Sequence, residues 1–245
     1  MQKLTDKQTT TLLLLKEVIA IFRKENIPFS LAFGSVLGAI RHKGYIPWDQ
    51  DIDLYIDMDH YDLACRKLQE QLPDELQLFA KEVDPTYEEV VVRVGFKGQP
   101  HQKIHIDLFL LTGCPEASQR VSRRIFKLVT YLANRCYFIK KVKPSFNYPH
   151  KPKKKFAAYV CKAILLPIPA GVFKSIFNWY ARRYPIATSS QLCSICGYYS
   201  IDYWDKAWWT EQIHYPFEDM HLPIPKDWDA YLKHHYGDYM TPVKY

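Results

Sequence analysis

Asp51 and Asp53 stand two residues apart in the run Asp51-Ile52-Asp53-Leu54-Tyr55-Ile56. Ile52, Leu54 and Ile56 alternate with the carboxylates and Tyr55, the period of a strand with one apolar face. On such a strand the two carboxylates share the other face, about 7 Å apart. Hard divalent cations take oxygen ligands and retain waters. The spacing therefore suits Mg²⁺ or Mn²⁺ held jointly by protein and substrate phosphates. The bland alternative is a solvated strand face. Asp49 also opens an Asp-x-Asp-x-Asp run like that of an EF-hand loop. Such a loop needs Gly at its sixth position and Glu at its twelfth, where this chain has Leu54 and His60, so an EF-hand is excluded.

A third carboxylate supports the metal reading. Lys103 to Leu110 alternates again, with Ile104, Ile106, Leu108 and Leu110 opposite His105 and Asp107. A charge between Ile106 and Leu108 is unfavourable without a partner, and a metal shared with Asp51 and Asp53 supplies one. A sheet-edge Asp in water is the plainer alternative. Upstream, Phe29, Leu31 and Phe33 read as a strand broken by Gly34-Ser35, with a short helix after it. A glycine lets backbone approach a phosphate, and the first N–H groups of a helix hold anions. Taken alone, Gly34-Ser35 is as well explained by a turn. Arg41 and His42 close that helix, where cations are favoured in any case. Arg93, inside Val90–Phe96, is either a sheet-edge side chain reaching water or a phosphate clamp near the metal.

The string from Phe33-Gly34-Ser35 through Arg41-His42 to Ile46-Pro47-Trp48-Asp49-Gln50-Asp51-Ile52-Asp53, followed by Asp107, resembles the LicD family of the nucleotidyltransferase-fold superfamily. Bacterial phosphocholine transferases, fukutin and fukutin-related protein belong to it. Pro223-Ile224-Pro225, Tyr231-Leu232 and Tyr236-Gly237-Asp238-Tyr239-Met240 resemble that family's ending. The resemblance implies an α/β (α+β) fold, a nucleotidyltransferase-like mixed sheet with flanking helices. It implies a metal-dependent transferase moving phosphocholine from CDP-choline to a sugar hydroxyl, with CMP leaving. The acceptor would be a cell-surface glycan precursor, of lipopolysaccharide, teichoic acid or capsule, on a lipid carrier. Asp51, Asp53 and Asp107 would be catalytic and hold Mg²⁺ or Mn²⁺, with Asp49 joining the metal shell or orienting the loop. Gly34, Ser35, Arg41, His42, Trp48 and Arg93 would bind substrate. Another CDP-alcohol (glycerol, ribitol) would keep the chemistry, and nucleotide transfer would release pyrophosphate instead. A non-catalytic membrane-associated scaffold is the reading from another class.

The elements that must position these groups follow from spacing. Thr5-Asp6 can cap a helix to about Lys24, with Leu12, Leu15, Ile19 and Phe22 on one side. Asp59 can cap a helix over about 60–72, ended by Pro73, with strands at Leu76–Phe79 and Val90–Phe96. The 245 residues divide into a catalytic core over 1–115, a basic helical insert over 116–200 and a segment over 201–245 that packs back on the core.

Charge sets the insert apart. Residues 117–201 contain 16 Lys and Arg and no Asp or Glu, leaving 17 basic and 26 acidic residues elsewhere, so the net +7 hides the split. Such a segment favours an anionic partner. No nucleic-acid module is recognisable, so nucleic acid is not expected. Lys151–Lys155 precede an apolar stretch to Tyr180 with Lys162 and Lys174 interspersed. The uncharged run 163–173 falls short of the ~20 residues needed to span a bilayer, which favours contact with an anionic membrane surface. An ordinary helical subdomain with a basic exterior is the alternative.

The start of the chain lacks the pattern of a signal peptide, because Lys16-Glu17 interrupts its apolar run. The expected location is therefore the cytoplasmic face of the membrane, with six free cysteines. Cys193-x-x-Cys196 would need two more ligands, such as His214 and His221, to bind zinc, and two core cysteines is the default. Trp204, Trp208, Trp209 and Trp228 read as core, although aromatic faces also hold quaternary ammonium groups. Trp48, beside the carboxylates, is the nearer candidate for a choline cage.

Overall fold

The computed structural model describes residues 4–87, 89, 91–100, 103–141, 156, 159–160, 163–164, 167–194 and 202–241. Helix α1, Asp6–Lys24, begins at a capping box in which Thr5 and Gln8 satisfy each other's backbone N–H groups. Its buried Leu12, Leu15, Val18, Ile19 and Phe22 are the expected side. Strand β1, Phe29–Leu31, leads into α2, Phe33–His42, and β2, Ile52–Asp57, follows. The helix over residues 60–72 is α3, Tyr61–Gln71. Its start is organised by Asp57 rather than Asp59, since Asp57 Oδ1 accepts from the His60 N–H at 2.7 Å. Then come β3, Leu76–Phe79, β4, Val92–Phe96, and β5, His105–Gly113.

These strands form one mixed sheet in the order β1-β2-β5-β4-β3. Only the β2–β5 pair is parallel. Ile52, Leu54 and Ile56 of β2, with Ile106, Leu108 and Leu110 of β5, are buried at 0–2% exposure, as their alternation requires. They join the α1 and α3 side chains in a single core.

The insert carries α4, Arg120–Lys141, and α5, Ala170–Ala181, which pack on each other. Its end returns to the sheet before residue 200. Strand β6, Gln191–Ser194, pairs antiparallel with the C-terminal half of β5, and β7, Asp202–Asp205, pairs with β6. The chain closes with α6, Ala207–Thr210, the hairpin β8, Gln212–Phe217, and β9, Met220–Pro225, and helix α7, Trp228–Tyr236. This last part packs back on the core: Ser30 Oγ lies 3.1 Å from the Pro223 carbonyl, and the Tyr231 hydroxyl accepts from the Phe33 N–H at 2.9 Å. Trp204 and Trp209 are buried and Trp208 and Trp228 pack against the core, so these tryptophans are interior groups.

Candidate active site

Sheet register brings the predicted carboxylates into one row. Asp53 of β2 stands opposite Asp107 of β5, and Asp107 stands opposite Arg93 of β4. The Ala32 N–H, at the end of β1, donates to the Asp53 carbonyl at 2.9 Å. Parallel neighbours at equal register point side chains to the same face, so two distant segments converge without a shared loop.

Arg93 corrects one sequence reading. Strand β4 lies between β5 and β3, so Arg93 is not at a sheet edge. It is buried, its Nε donates to Asp107 Oδ1 at 2.6 Å, and it also pairs with Glu89. Its guanidinium is held by carboxylates and raises its own proton affinity further through Asp107 against the opposing effect of burial. His105 Nε2 is 3.6 Å from the same Asp107 oxygen.

The loop preceding β2 holds the other acids. Burial first, then the hydrogen bond and charge of Asp51, push the Asp49 carboxyl up to about 7. Burial likewise raises Asp53 well above the usual carboxylate range, reinforced by the charges of Asp51, Asp107 and Asp49 and opposed by Arg93. Asp49 and Asp53, at one end of the sheet, thus bind protons too readily, the mark of missing positive charge. A divalent cation fits that deficit, with oxygen donors of the right type. The donors are not drawn together as a closed cage. Among the described residues, the one group of three with ligand atoms within 4.8 Å of each other is Asp202, His234 and His235.

The positive φ at this turn belongs to Phe33, at 42°, not to Gly34. A Cβ on Gly34 would sit 3.0 Å from Asp49 Oδ2, so the missing side chain makes room for an acid of the site. Ser35 is buried, and its Oγ accepts from the Asp53 N–H at 3.0 Å, fixing the start of β2 against α2. Gln8, which sequence reasoning passed over, is buried and donates to the Asp49 carbonyl at 2.7 Å. The capping-box signal was visible, but not the turn its amide would reach.

Beside the carboxylates lies a cleft of about 270 Å³, lined in part by Gly34, Arg41, Trp48, Asp49, Tyr236 and Asp238. Trp48 and Tyr236 are 40% and 39% exposed, unusual for large aromatic side chains. Arg41 Nη1 donates to the Tyr239 carbonyl at 3.0 Å, tying α2 to the chain after α7. His42 is exposed and lies 3.4 Å from Arg41, outside the cleft lining.

A second polar cluster lies across an aromatic wall. Phe33 packs against Phe109 and His235 with ring centroids 5.1 and 5.2 Å apart. His234 Nε2 is 2.7 Å from Asp202 Oδ1, and His235 Nδ1 is 3.2 Å from Oδ2. Burial lowers the His235 imidazole to about 4. Cys65, Cys114 and Cys193 are buried. Cys196, and with it the proposed zinc pair, lies outside the described residues, as do Lys151–Lys155.

The acids at the end of two parallel strands of a mixed α+β sheet thus lie next to a cleft lined in part by aromatic side chains. The chain belongs to the LicD family: the model of the LicD/FKTN/FKRP nucleotidyltransferase domain matches residues 26–151. It is similar to the lipopolysaccharide cholinephosphotransferase LicD of Haemophilus influenzae, with 27% identity over 264 residues, covering 98% of this chain and 93% of that protein. An uncharacterized protein of Rickettsia prowazekii shares 42% identity over 43 residues, 18% of this chain and 16% of that one. Among solved structures, ANT(2″)-Ia in complex with adenylyl-2″-tobramycin matches with a TM-score of 0.31 and 14% identity, covering 69% of this chain and 98% of that one. That likeness is too loose to bear on function.

Proposed function

We propose that this protein is a transferase that moves phosphocholine from CDP-choline to a sugar hydroxyl of a cell-surface glycan, lipopolysaccharide foremost. The observation that carries the reading is the alignment of Asp53 with Asp107 on adjacent strands, beside the Asp49–Asp51 pair and the cleft. Similarity to a cholinephosphotransferase over nearly the whole chain supports the substrate class.

Asp51, Asp53 and Asp107, with Asp49 beside them, would hold Mg²⁺ or Mn²⁺. The ion would neutralise charge on the donor diphosphate and the leaving CMP. The remaining tasks fall to the chain. The acceptor oxygen attacks the phosphorus bearing choline, and the bond from that phosphorus to the bridging oxygen of CMP breaks. The acceptor's proton passes to Asp107, which stands beside Asp53 at the end of the parallel strands and serves as ligand or as general base. Arg93 positions Asp107 through its Nε–Oδ1 bond. Ser35 positions Asp53 through its backbone N–H. Trp48 and Tyr236 offer aromatic faces, and Asp49 and Asp238 negative charge, to a quaternary ammonium in the cleft. That lining favours choline over the uncharged alcohols glycerol and ribitol.

The test is CMP release from a panel of CDP-alcohols with Mg²⁺ or Mn²⁺ and a lipopolysaccharide acceptor, comparing wild type with Asp53→Ala. Release that is strongest with CDP-choline, requires the metal and disappears in the variant supports the reading. Wild-type turnover by Asp53→Ala would refute the site. Pyrophosphate as the product would refute the reaction.

A further inference from the structure

The acid-free insert exposes apolar side chains in a pattern the core does not. On α4, Val121, Ile125 and Leu128 are 70%, 44% and 57% exposed, and on α5, Val172, Ile176 and Trp179 are 42%, 43% and 59% exposed. Both sets fall at i, i+4 and i+7, so each forms one stripe along its helix. Neither stripe is the side facing the protein. Phe126, Thr130 and Ala133 of α4, and Phe177, Tyr180 and Ala181 of α5, are the buried groups and lie on other faces. Of the 16 large hydrophobic side chains exposed among the described residues, 11 lie between residues 117 and 201.

Cations border the stripes. Arg120, Arg124 and Lys127 are exposed on α4, and Arg182 and Arg183 follow α5. The Arg183 guanidinium lies 3.9 Å from the centre of the Trp179 ring. Lys174, which the sequence placed among the lipid-facing cations, does not belong here: it is 1% exposed and sits 3.9 Å from Glu82.

We infer that the outer faces of α4 and α5 form a docking surface for an anionic lipid bilayer. Apolar stripes with cationic borders match a surface that is apolar within and negative at its headgroups. The lack of any Asp or Glu over 117–201 removes the repulsion such a surface would otherwise meet. Nucleic acid would use the cations but not the apolar stripes. No helix among the described residues is long and apolar enough to cross a membrane, so α4 and α5 would lie along the interface. The surface extends the expected contact over Lys151–Tyr180 to a second helix that begins 31 residues earlier. It stands independently of the phosphocholine reading, because none of its residues lines the cleft or the carboxylate row.

The experiment is co-sedimentation with phosphatidylcholine vesicles, with and without phosphatidylglycerol. Wild type is compared with the triple variant Ile125→Glu, Leu128→Glu, Trp179→Glu. The sites are exposed, and circular dichroism and CMP release in detergent-free solution check that fold and chemistry persist. The expected result is salt-sensitive binding of wild type to the anionic vesicles, weakened about tenfold or more in the variant. Wild type remaining in the supernatant, or a variant that binds as wild type does, overturns the proposal. So does a dimer, seen by analytical ultracentrifugation, that the variant abolishes while vesicle binding is absent in both. Failure here leaves CMP release untouched, and loss of CMP release leaves vesicle binding untouched, so the two readings fail separately.

Discussion

In the core sheet the chain turns carboxylates inward, whereas in the insert it turns apolar side chains outward. Asp107 is 9% exposed and Asp53 has a strongly raised proton affinity, while Val121 and Trp179 are 70% and 59% exposed. Both arrangements are costly in water, one because buried charge loses hydration and the other because apolar surface keeps it. Compensation within the chain is partial: Arg93 pairs with Asp107 and Glu89, and the two helices place their stripes away from the core. Uncompensated cost at a defined place marks where a partner belongs. Its sign tells which kind: cation and phosphate at the sheet end, lipid on the helices.

The strongest way to break this contrast is to remove the inward charge. Asp107→Asn should lower CMP release at least about a hundredfold with the fold retained in circular dichroism, since it weakens charge complementarity where the leaving group departs. Near wild-type turnover would make the buried acids structural. Removing the counter-charge instead should act on stability. Arg93→Met leaves Asp107 and Glu89 without their shared cation, and urea denaturation should show a loss of about 3–5 kcal/mol.

A smaller effect sharpens the comparison through pH. Because the folded-state pKa of Asp49 is raised from 3.8 to about 7, the folded state holds a proton the unfolded chain gives up. Metal-free protein should therefore lose stability as pH rises from about 4 through 7. Asp49→Asn should flatten that slope, leaving the part due to Asp53, and add about 1–2 kcal/mol at pH 8 in EDTA, read from thermal melts. Added Mg²⁺ or Mn²⁺ should reverse the advantage. The smallest effect belongs to a cation of the insert that turns inward. Lys174 Nζ is buried without a hydrogen-bond partner, and burial lowers its pKa. Lys174→Met should be neutral or stabilising by about 1 kcal/mol in the same melts, and a large loss would show that its 3.9 Å approach to Glu82 matters more than its burial.

The individual acids were legible before the fold was. Alternation places Asp53 and Asp107 on the faces of their strands opposite the core isoleucines and leucines, and the structure keeps them there, while Asp51 falls just before β2. Roles that depend on a neighbour were not legible. Arg93 reads equally well as a surface cation or a phosphate clamp until β4 is seen between β5 and β3. That a side chain on Gly34 would crowd Asp49 Oδ2 is visible only once the two are folded together. The stripe on α4 passed unnoticed because apolar spacing of this kind ordinarily marks a core face, and only burial shows that Phe126, not Ile125, faces inward.

By itself, then, the sequence determined the strand faces, the helix cap at Thr5, the separation of acidic core from acid-free insert, and a motif resembling the LicD family. These are properties of neighbouring residues or of counted charge, and local backbone geometry is enough to express them. The tertiary structure decided that Asp53 meets Asp107, that Arg93 serves Asp107, that Gln8 holds the Asp49 turn, and that the chain after α7 walls the cleft against Arg41. Those contacts join residues up to 198 positions apart. They depend on strand order and register, which the packing of the whole sheet selects and no single segment encodes.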